Sequence, residues 1–451
     1  MLKSFAGCSG KIVKIALPLI LQQLCLQFQI WIDRAMLGHV NSEFFSAVGN
    51  SLVPYQAATS MIVAICGGTT ILAAQYFGAK DIENVERVSE CSFLGNSLIS
   101  AAAFALFFFG SGWIFGLMNV KQPILDYSLD YIRVLSFSLL VLGPSSTASA
   151  ILQALGRTGI IMAAGIFSNI LNIFLDWLLI FGNWGLPALG IKGAACATVI
   201  ANFASAPVLV LTVFLSRSIP VGFSGAIFSL SGLRRYRQVL RMGAPSGMEF
   251  ALWNIGNIIV VSFLNRIDIM AAGIYTLIAS IEMFPVLIHS GFANAGLTIV
   301  GQKTGEGNLP QARAAGFTAL FYSLLVCAAT AVVFFRWPEA ILRIFTDDTG
   351  LVDTAVPYLL FVPWIMFPKA INCVIGLCIR GLGDTRWMLC TQIFGTIFMV
   401  SCSYFLIFTV GMGLLGIFVT FLADESIRGT LNLIHFLRCK APALDIRAAG
   451  T

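Results

Sequence analysis

Residues 12–37 read IVKIALPLILQQLCLQFQIWIDRAML, an apolar span with Pro18 near its start and Asp33 near its end. A hydrocarbon core of roughly 30 Å takes about 20 helical residues, so the stretch is long enough to cross a bilayer. An ionised aspartate inside a membrane helix costs about 2.5 kcal/mol or more, and such a group is protonated, paired or turned to a polar cavity. Pro18 removes one helix hydrogen bond and crowds the preceding turn, so the same helix carries a hinge. On this helix alone a plainer account of Asp33, as a marker of the membrane boundary beside Arg34, stands equally well.

The rest of the chain agrees with a membrane reading. Of 451 residues, 58% are hydrophobic and only 11% charged, and the mean hydropathy is +0.89, whereas soluble domains carry about 25% charged residues. The net charge of +6 comes mainly from basic loops, which membrane orientation requires, so it does not argue for a nucleic-acid partner. The eleven cysteines lie mostly in apolar runs, with no CxxC pair and no Cys/His cluster, and read as small packing residues. Lys3, Lys11 and Lys14 before an apolar run resemble a signal peptide, but the run is too long and no small-residue cleavage site follows, so it is expected to stay as the first transmembrane helix.

Windows of about 20 apolar residues give twelve spans, near 12–37, 46–74, 91–116, 125–153, 160–182, 191–215, 239–264, 272–300, 314–335, 351–379, 387–410 and 413–437. Placing both termini in the cytoplasm puts eighteen of the 27 Lys and Arg on that side and seven on the other, with Lys369 and Arg428 left inside spans. The positive-inside rule therefore favours cytoplasmic termini. The longest polar connection, 216–238, contains SGLRRYRQ, expected to be a short interfacial helix. Its basic residues are better explained as a topology determinant than as a site for anionic lipid.

One constant offset of 227 residues relates the second half to the first. It pairs Pro18 with Pro245, Gln75 with Gln302, Gly78 with Gly305, Asp126 with Asp353, Tyr131 with Tyr358, Gly156 with Gly383 and Thr158 with Thr385. Polar residues and glycines keep this register as well as apolar ones, so the expected fold is all-α, with twelve transmembrane helices in two six-helix, pseudo-symmetric bundles. The boundaries follow as an N-terminal lobe at 1–215, a linker at 216–238, a C-terminal lobe at 239–437 and a tail at 438–451. Six crossings per repeat give both bundles the same orientation, an arrangement that places substrate between halves that rock. The glycine-bearing segments at 75–80, 302–307, 155–158 and 382–385 read as turns and helix caps shared by both halves.

Polar residues within spans are the one chemical signal. SNILNIFLDW puts Asn169, Asn172 and Asp176 on one face of the fifth span, and GAACATVIAN puts Thr198 one turn beyond Ala194 in the sixth. With Asp33 these can line an oxygen-rich pocket that either shares a proton between two carboxylates or ligates a hard monovalent cation. The second half differs. It offers Glu249, Glu282, Lys369, Asp424, Glu425 and Arg428. Lys369 is expected to pair with Glu249 or Glu282, because an unpaired ammonium at that depth is costly, and a static ion pair is as good an account as a transport role.

Pro18 with Asp33 in WIDRAMLG, the NIFLD and GAACAT segments, and RGLGDT in the second half resemble the multidrug and toxic compound extrusion (MATE) transporters over nearly the whole chain. The resemblance implies a transporter of the MATE/MOP fold that expels a substrate in exchange for inward Na+ or H+. It also implies that Asp33, Asn172, Asp176 and Thr198 match a cation or proton site, and that Pro18 matches a first-helix proline that bends when the aspartate is protonated. The pattern is closer to the DinF-like branch than to the NorM-like one, whose members place a carboxylate where this chain has Lys369, eleven residues before Arg380. Arg34, where the family has a small polar residue, would compete with cation binding if it paired with Asp33.

The function expected from the sequence is a cation-coupled antiporter in the inner membrane, acting as a monomer without a cofactor and exporting amphipathic or cationic organic compounds. Membrane lipid is its other partner. A lipid-linked oligosaccharide flippase of the same superfamily is the nearest alternative, but it calls for a strongly basic cavity, and only Lys369 and Arg428 lie within spans. An intramembrane enzyme is disfavoured, since His39, His289 and His435 are scattered and neither HExxH nor GxSxG occurs.

Overall fold

A computed structural model describes residues 2–40, 42–215, 230–267 and 269–439. Its long helices are α1 (Leu2–Val40), α2 (Ser42–Gly78), α3 (Ile82–Leu117), α4 (Ile124–Ala154), α5 (Thr158–Phe181), α6 (Ile191–Leu215), α7 (Leu230–Ile267), α8 (Ile269–Gly305) and α9 (Leu309–Arg336). A short α10 (Pro338–Arg343) precedes α11 (Thr349–Leu382), α12 (Thr385–Tyr404), which runs on through Thr409 as a π-turn, and α13 (Leu414–Arg438). Among the described residues eleven helices are long and apolar enough to cross a membrane. The twelfth, α13, matches them in length at 25 residues but carries Asp424, Glu425 and Arg428 in its middle. The chain is a multi-pass membrane protein with an all-α fold.

Local chemistry repeats at the 227-residue offset seen in the sequence. Asp81 caps α3 by accepting from the Asn84 amide at 3.1 Å, and Asn308 caps α9 by accepting from the Gln311 amide at 3.1 Å. Such caps satisfy one of the four N–H groups that every helix start leaves open. The residue before each cap, Lys80 in the first half and Gly307 in the second, is left-handed at φ 60° and 73°, as are Gly156 at 75° and Gly383 at 99°. A left-handed residue costs a glycine little, which accounts for the glycines in both LG turns.

The residues separate into two compact units, one of Leu21–Gly247 and one of Met1–Ile20 with Met248–Thr451. Both α1 and α7 therefore change unit part-way along, two residues after Pro18 and after Pro245 respectively. In the Leu21–Gly247 unit Phe115, Ile132, Leu135, Leu139 and Ile180 form a fully buried core, and in the other unit Leu264, Ile278, Leu359, Val362 and Ile417 do so. Large apolar side chains also stand outward, among them Phe109 at 79% and Trp113 at 67% exposed, as expected of a surface solvated by lipid tails.

The connection expected at 216–238 lies partly outside the described residues, at 216–229. The expected short interfacial helix over SGLRRYRQ is instead the first part of α7, since no breaker interrupts the sequence from there into the apolar run. It docks by side chain onto α3, with Arg235 Nη1 donating to Asn84 Oδ1 at 2.7 Å and the Tyr236 hydroxyl to Asn96 Oδ1 at 3.0 Å. Of the expected tail at 438–451, residues 440–451 lie outside the described residues.

Candidate functional site

The first cluster is built where α1, α5 and α6 meet inside the Leu21–Gly247 unit. Two glycines allow the approach. A Cβ on Gly165 of α5 would stand 2.7 Å from Gln22 Cγ of α1, and one on Gly193 of α6 would stand 2.6 Å from the Leu179 carbonyl oxygen of α5. With the helices this close, the side chains of Asp33 of α1 and Asp176 of α5 come within interaction range of each other. Asp176 is fully buried and its Oδ1 has no hydrogen-bond partner among the described residues. Two carboxylates at such range require a proton or a cation between them, because like charges this close cannot both stand bare.

Asn172 joins the pair to α6. One atom of its terminal amide lies 3.2 Å from Asp33 Oδ1 and 3.3 Å from Asp176 Oδ2, and the other lies 3.3 Å from Thr198 Oγ1. Thr198 in turn donates to the Ala194 carbonyl at 3.1 Å, and Ala194 is buried behind it. The structure thus brings together Asp33, Asn172, Asp176, Thr198 and Ala194. Pro18 lies outside this unit, two residues before the boundary within α1. Arg34 is exposed and forms no ion pair with Asp33 among the described residues.

Gln29 was not singled out in the sequence reading and belongs to the cluster. Its Nε2 donates to Asp33 Oδ2 at 3.1 Å, and its amide also hydrogen-bonds to Asn172. The signal was available, since Gln29 is one helical turn before Asp33 on the same face.

The second cluster lies in the Met248–Thr451 unit and consists of paired charges. Lys369 Nζ is 2.7 Å from Glu282 Oε1, so of the two expected partners it takes Glu282. Glu249 is instead held by Arg380, at 2.6 Å from Nη2. Arg428 donates through Nε to both Asp424 oxygens at 3.0 Å and through Nη1 to Gln392 Oε1 at 2.9 Å. A cavity of about 170 Å3 opens beside this network, walled by Trp253, His289, Lys369, Asn372, Glu425 and Arg428. His289 is buried, with Nδ1 2.9 Å from Ser323 Oγ. The sequence reading found no cluster that joins Cys to His. The structure corrects this, because α13 ends with His435 and Cys439 on one face and the turn before α12 brings Asp384 to them.

The MatE family profile matches twice, over residues 18–178 and 245–405. This chain belongs to the MatE family. The two matches begin and end 227 residues apart, the register that relates the halves. Among relatives, the probable multidrug resistance protein NorM of Thermotoga maritima is 26% identical over 436 residues, which are 95% of this chain and 92% of that one. The uncharacterized transporter YisQ of Bacillus subtilis is 25% identical over 434 residues, 95% and 94% of the two chains. Among solved structures, an outward-facing multidrug resistance MATE family transporter of the MOP superfamily superposes with a TM-score of 0.88 at 19% identity, covering 95% of each chain. A MOP superfamily transporter from Pyrococcus furiosus, described as having a binding pocket of reverse polarity, superposes with a TM-score of 0.88 at 18% identity over 95% of each chain. These two share the fold. The protein is thus a MATE transporter and not an enzyme.

Proposed function

We propose that this MATE transporter is a cation-coupled antiporter that expels amphipathic or cationic organic compounds by alternating access. The approach of Asp33 to Asp176 carries the reading, because it calls for a proton or cation at a site buried in a membrane protein. Asn172, Thr198 and the Ala194 carbonyl add neutral oxygens that suit Na+, a hard cation that takes oxygen ligands. Loading this site biases a two-state equilibrium, and Pro18 supplies the hinge through which α1 responds. The multidrug-resistance names of several relatives support small organic molecules as substrates. The Lys and Arg distribution supports an inner membrane with both termini in the cytoplasm, and Lys369 in place of a carboxylate supports the DinF-like branch.

A second reading of the substrate is favoured by the cavity beside Lys369 and Arg428. Two cationic side chains on its wall suit a compound that carries an anionic group. The reverse polarity ascribed to the Pyrococcus furiosus protein offers a precedent within the fold. A lipid-linked oligosaccharide flippase fits less well, since it calls for a strongly basic cavity and only Lys369 and Arg428 supply positive charge here.

The experiment is efflux of ethidium, and separately of a carboxylate-bearing dye, from proteoliposomes under an imposed pH gradient and then an imposed Na+ gradient. Transport driven by either gradient supports the antiporter, and the driving gradient names the ion. No transport of either dye under both gradients contradicts it.

A further inference from the structure

Asp384, His435 and Cys439 form a cluster that transport by the sites above does not use. Their ligating atoms all lie within 4.8 Å of one another, and this is the one such group of three among the described residues. Asp384 uses Oδ1 to cap α12, accepting from the Trp387 amide at 3.1 Å, which leaves Oδ2 free to stand 2.9 Å from His435 Nε2. His435 and Cys439 are four residues apart at the end of α13, so both point to the same side.

The surroundings fix these groups in place. The Trp387 ring lies parallel to the His435 imidazole, with centroids 4.0 Å apart and planes 5° from each other. Trp387 is itself held by its Nε1 donating to Asn432 Oδ1 at 2.9 Å. Arg313 Nη2 donates to the Cys439 carbonyl at 3.2 Å. Outer partners of this kind orient metal ligands. Capping accounts for Asp384 and an Asp–His pair for His435, and the Cys439 thiol makes the group a three-donor set.

The internal repeat supplies an independent argument. The positions 227 residues earlier are Arg157, Val208 and Thr212, none of which carries a matching ligand. The shared helical scaffold therefore forms without this cluster, and the three residues belong to the second half alone.

We propose that Asp384, His435 and Cys439 bind a thiophilic divalent transition-metal ion, Zn2+ by chemistry, with a fourth position open to water. One imidazole nitrogen, one thiolate and one carboxylate oxygen make a donor set suited to tetrahedral Zn2+, whereas Ca2+ or Mg2+ would require six or more oxygens. The ion takes the place of the proton between Asp384 and His435. At Zn–N and Zn–O lengths of about 2.1 Å a tetrahedral ion holds its ligands roughly 3.4 Å apart, so the pair has to open by only a few tenths of an ångström. Bound there, the ion ties the end of α13 to the turn between α11 and α12. The hydrogen bonds continue from Trp387 through Asn432 and Asn372, which are 2.8 Å apart, to Glu425, 2.7 Å from Asn372 on the cavity wall. Metal occupancy thus has a contiguous physical route to the charged cavity.

Tag-free protein in detergent is titrated with Co2+, which reports a bound thiolate through a sulfur-to-metal charge-transfer band, and the Co2+ is then displaced with Zn2+. One equivalent of Co2+ should give the band, Zn2+ should abolish it, Cys439→Ser should lack it, and His435→Gln and Asp384→Asn should each weaken Zn2+ binding by at least about tenfold. No band in the wild type, or a band that survives Cys439→Ser, overturns the proposal and leaves an adventitious ion only. If Cys439→Ser does not fold, alkylation of Cys439 by iodoacetamide is followed in the wild type by mass spectrometry. Protection by stoichiometric Zn2+ supports the site, and an unchanged alkylation rate overturns it.

Discussion

Asp33 and Asp176 come from two different helices of one compact unit and converge on the Asn172 amide, one atom of which lies 3.2 Å from Asp33 Oδ1 and 3.3 Å from Asp176 Oδ2. Each residue alone has an ordinary explanation, as a boundary marker or as one polar side chain in a buried face. Together they form an acidic pair with no cationic side chain bonded to either among the described residues, which is why the cluster points to a mobile proton or cation.

Gln29 positions that pair. Its hydrogen bond to the Asp33 carboxylate is one to a charged group, worth about 1.5–3 kcal/mol. Gln29→Leu should therefore weaken the apparent affinity for the coupling ion by roughly tenfold or more while leaving the protein monodisperse. The check is the ion concentration giving half-maximal efflux in proteoliposomes.

The Lys369–Glu282 pair should behave as a structural unit. Lys369→Met leaves Glu282 without its cation and should lower thermal stability, by less than the about 3–5 kcal/mol of a fully buried pair because both groups are partly exposed. Lys369→Met combined with Glu282→Gln should regain most of the loss. Melting of the purified variants followed by tryptophan fluorescence tests this, and a single mutant as stable as the wild type would make the pair incidental.

Arg428 binds Asp424 through a planar fork and reaches Gln392 with another arm. Lysine keeps the charge but not the fork. Arg428→Lys should cost about 1.5–3 kcal/mol of stability, read as a lower melting temperature in the same assay.

Gly193 permits the contact between α5 and α6, and its neighbour is backbone, which cannot move aside as a side chain can. Gly193→Ala should destabilise by about 1–3 kcal/mol through overpacking. It should also loosen Ala194 and Thr198 from Asn172, raising the ion concentration required for efflux.

The helical architecture was legible in the sequence because composition and periodicity carry it, and the repeat because its register is marked by residues with local jobs. Pro18 and Pro245, Gly156 and Gly383, and the capping pair Asp81 and Asn308 all act within one turn, so each half displays them at the same offset. The ion pairs were not legible as pairs. Lys369 and Glu282 are 87 residues apart, and Arg380 and Glu249 are 131 apart. Depth in a helix predicts that a charge needs a partner but not which one. The same distance hid Asp384 from His435 and Cys439, while Gln29 was overlooked because glutamine within a span carries no charge to draw attention.

The most direct test of the account compares wild type, Asp33→Asn and Asp176→Asn in two assays on the same preparations, ethidium binding by fluorescence polarisation and gradient-driven ethidium efflux from proteoliposomes. Both variants should bind the dye as the wild type does and lose gradient-driven efflux, because asparagine keeps the shape of the side chain but not the charge that holds the ion. Efflux at the wild-type rate in either variant would contradict coupling at this pair.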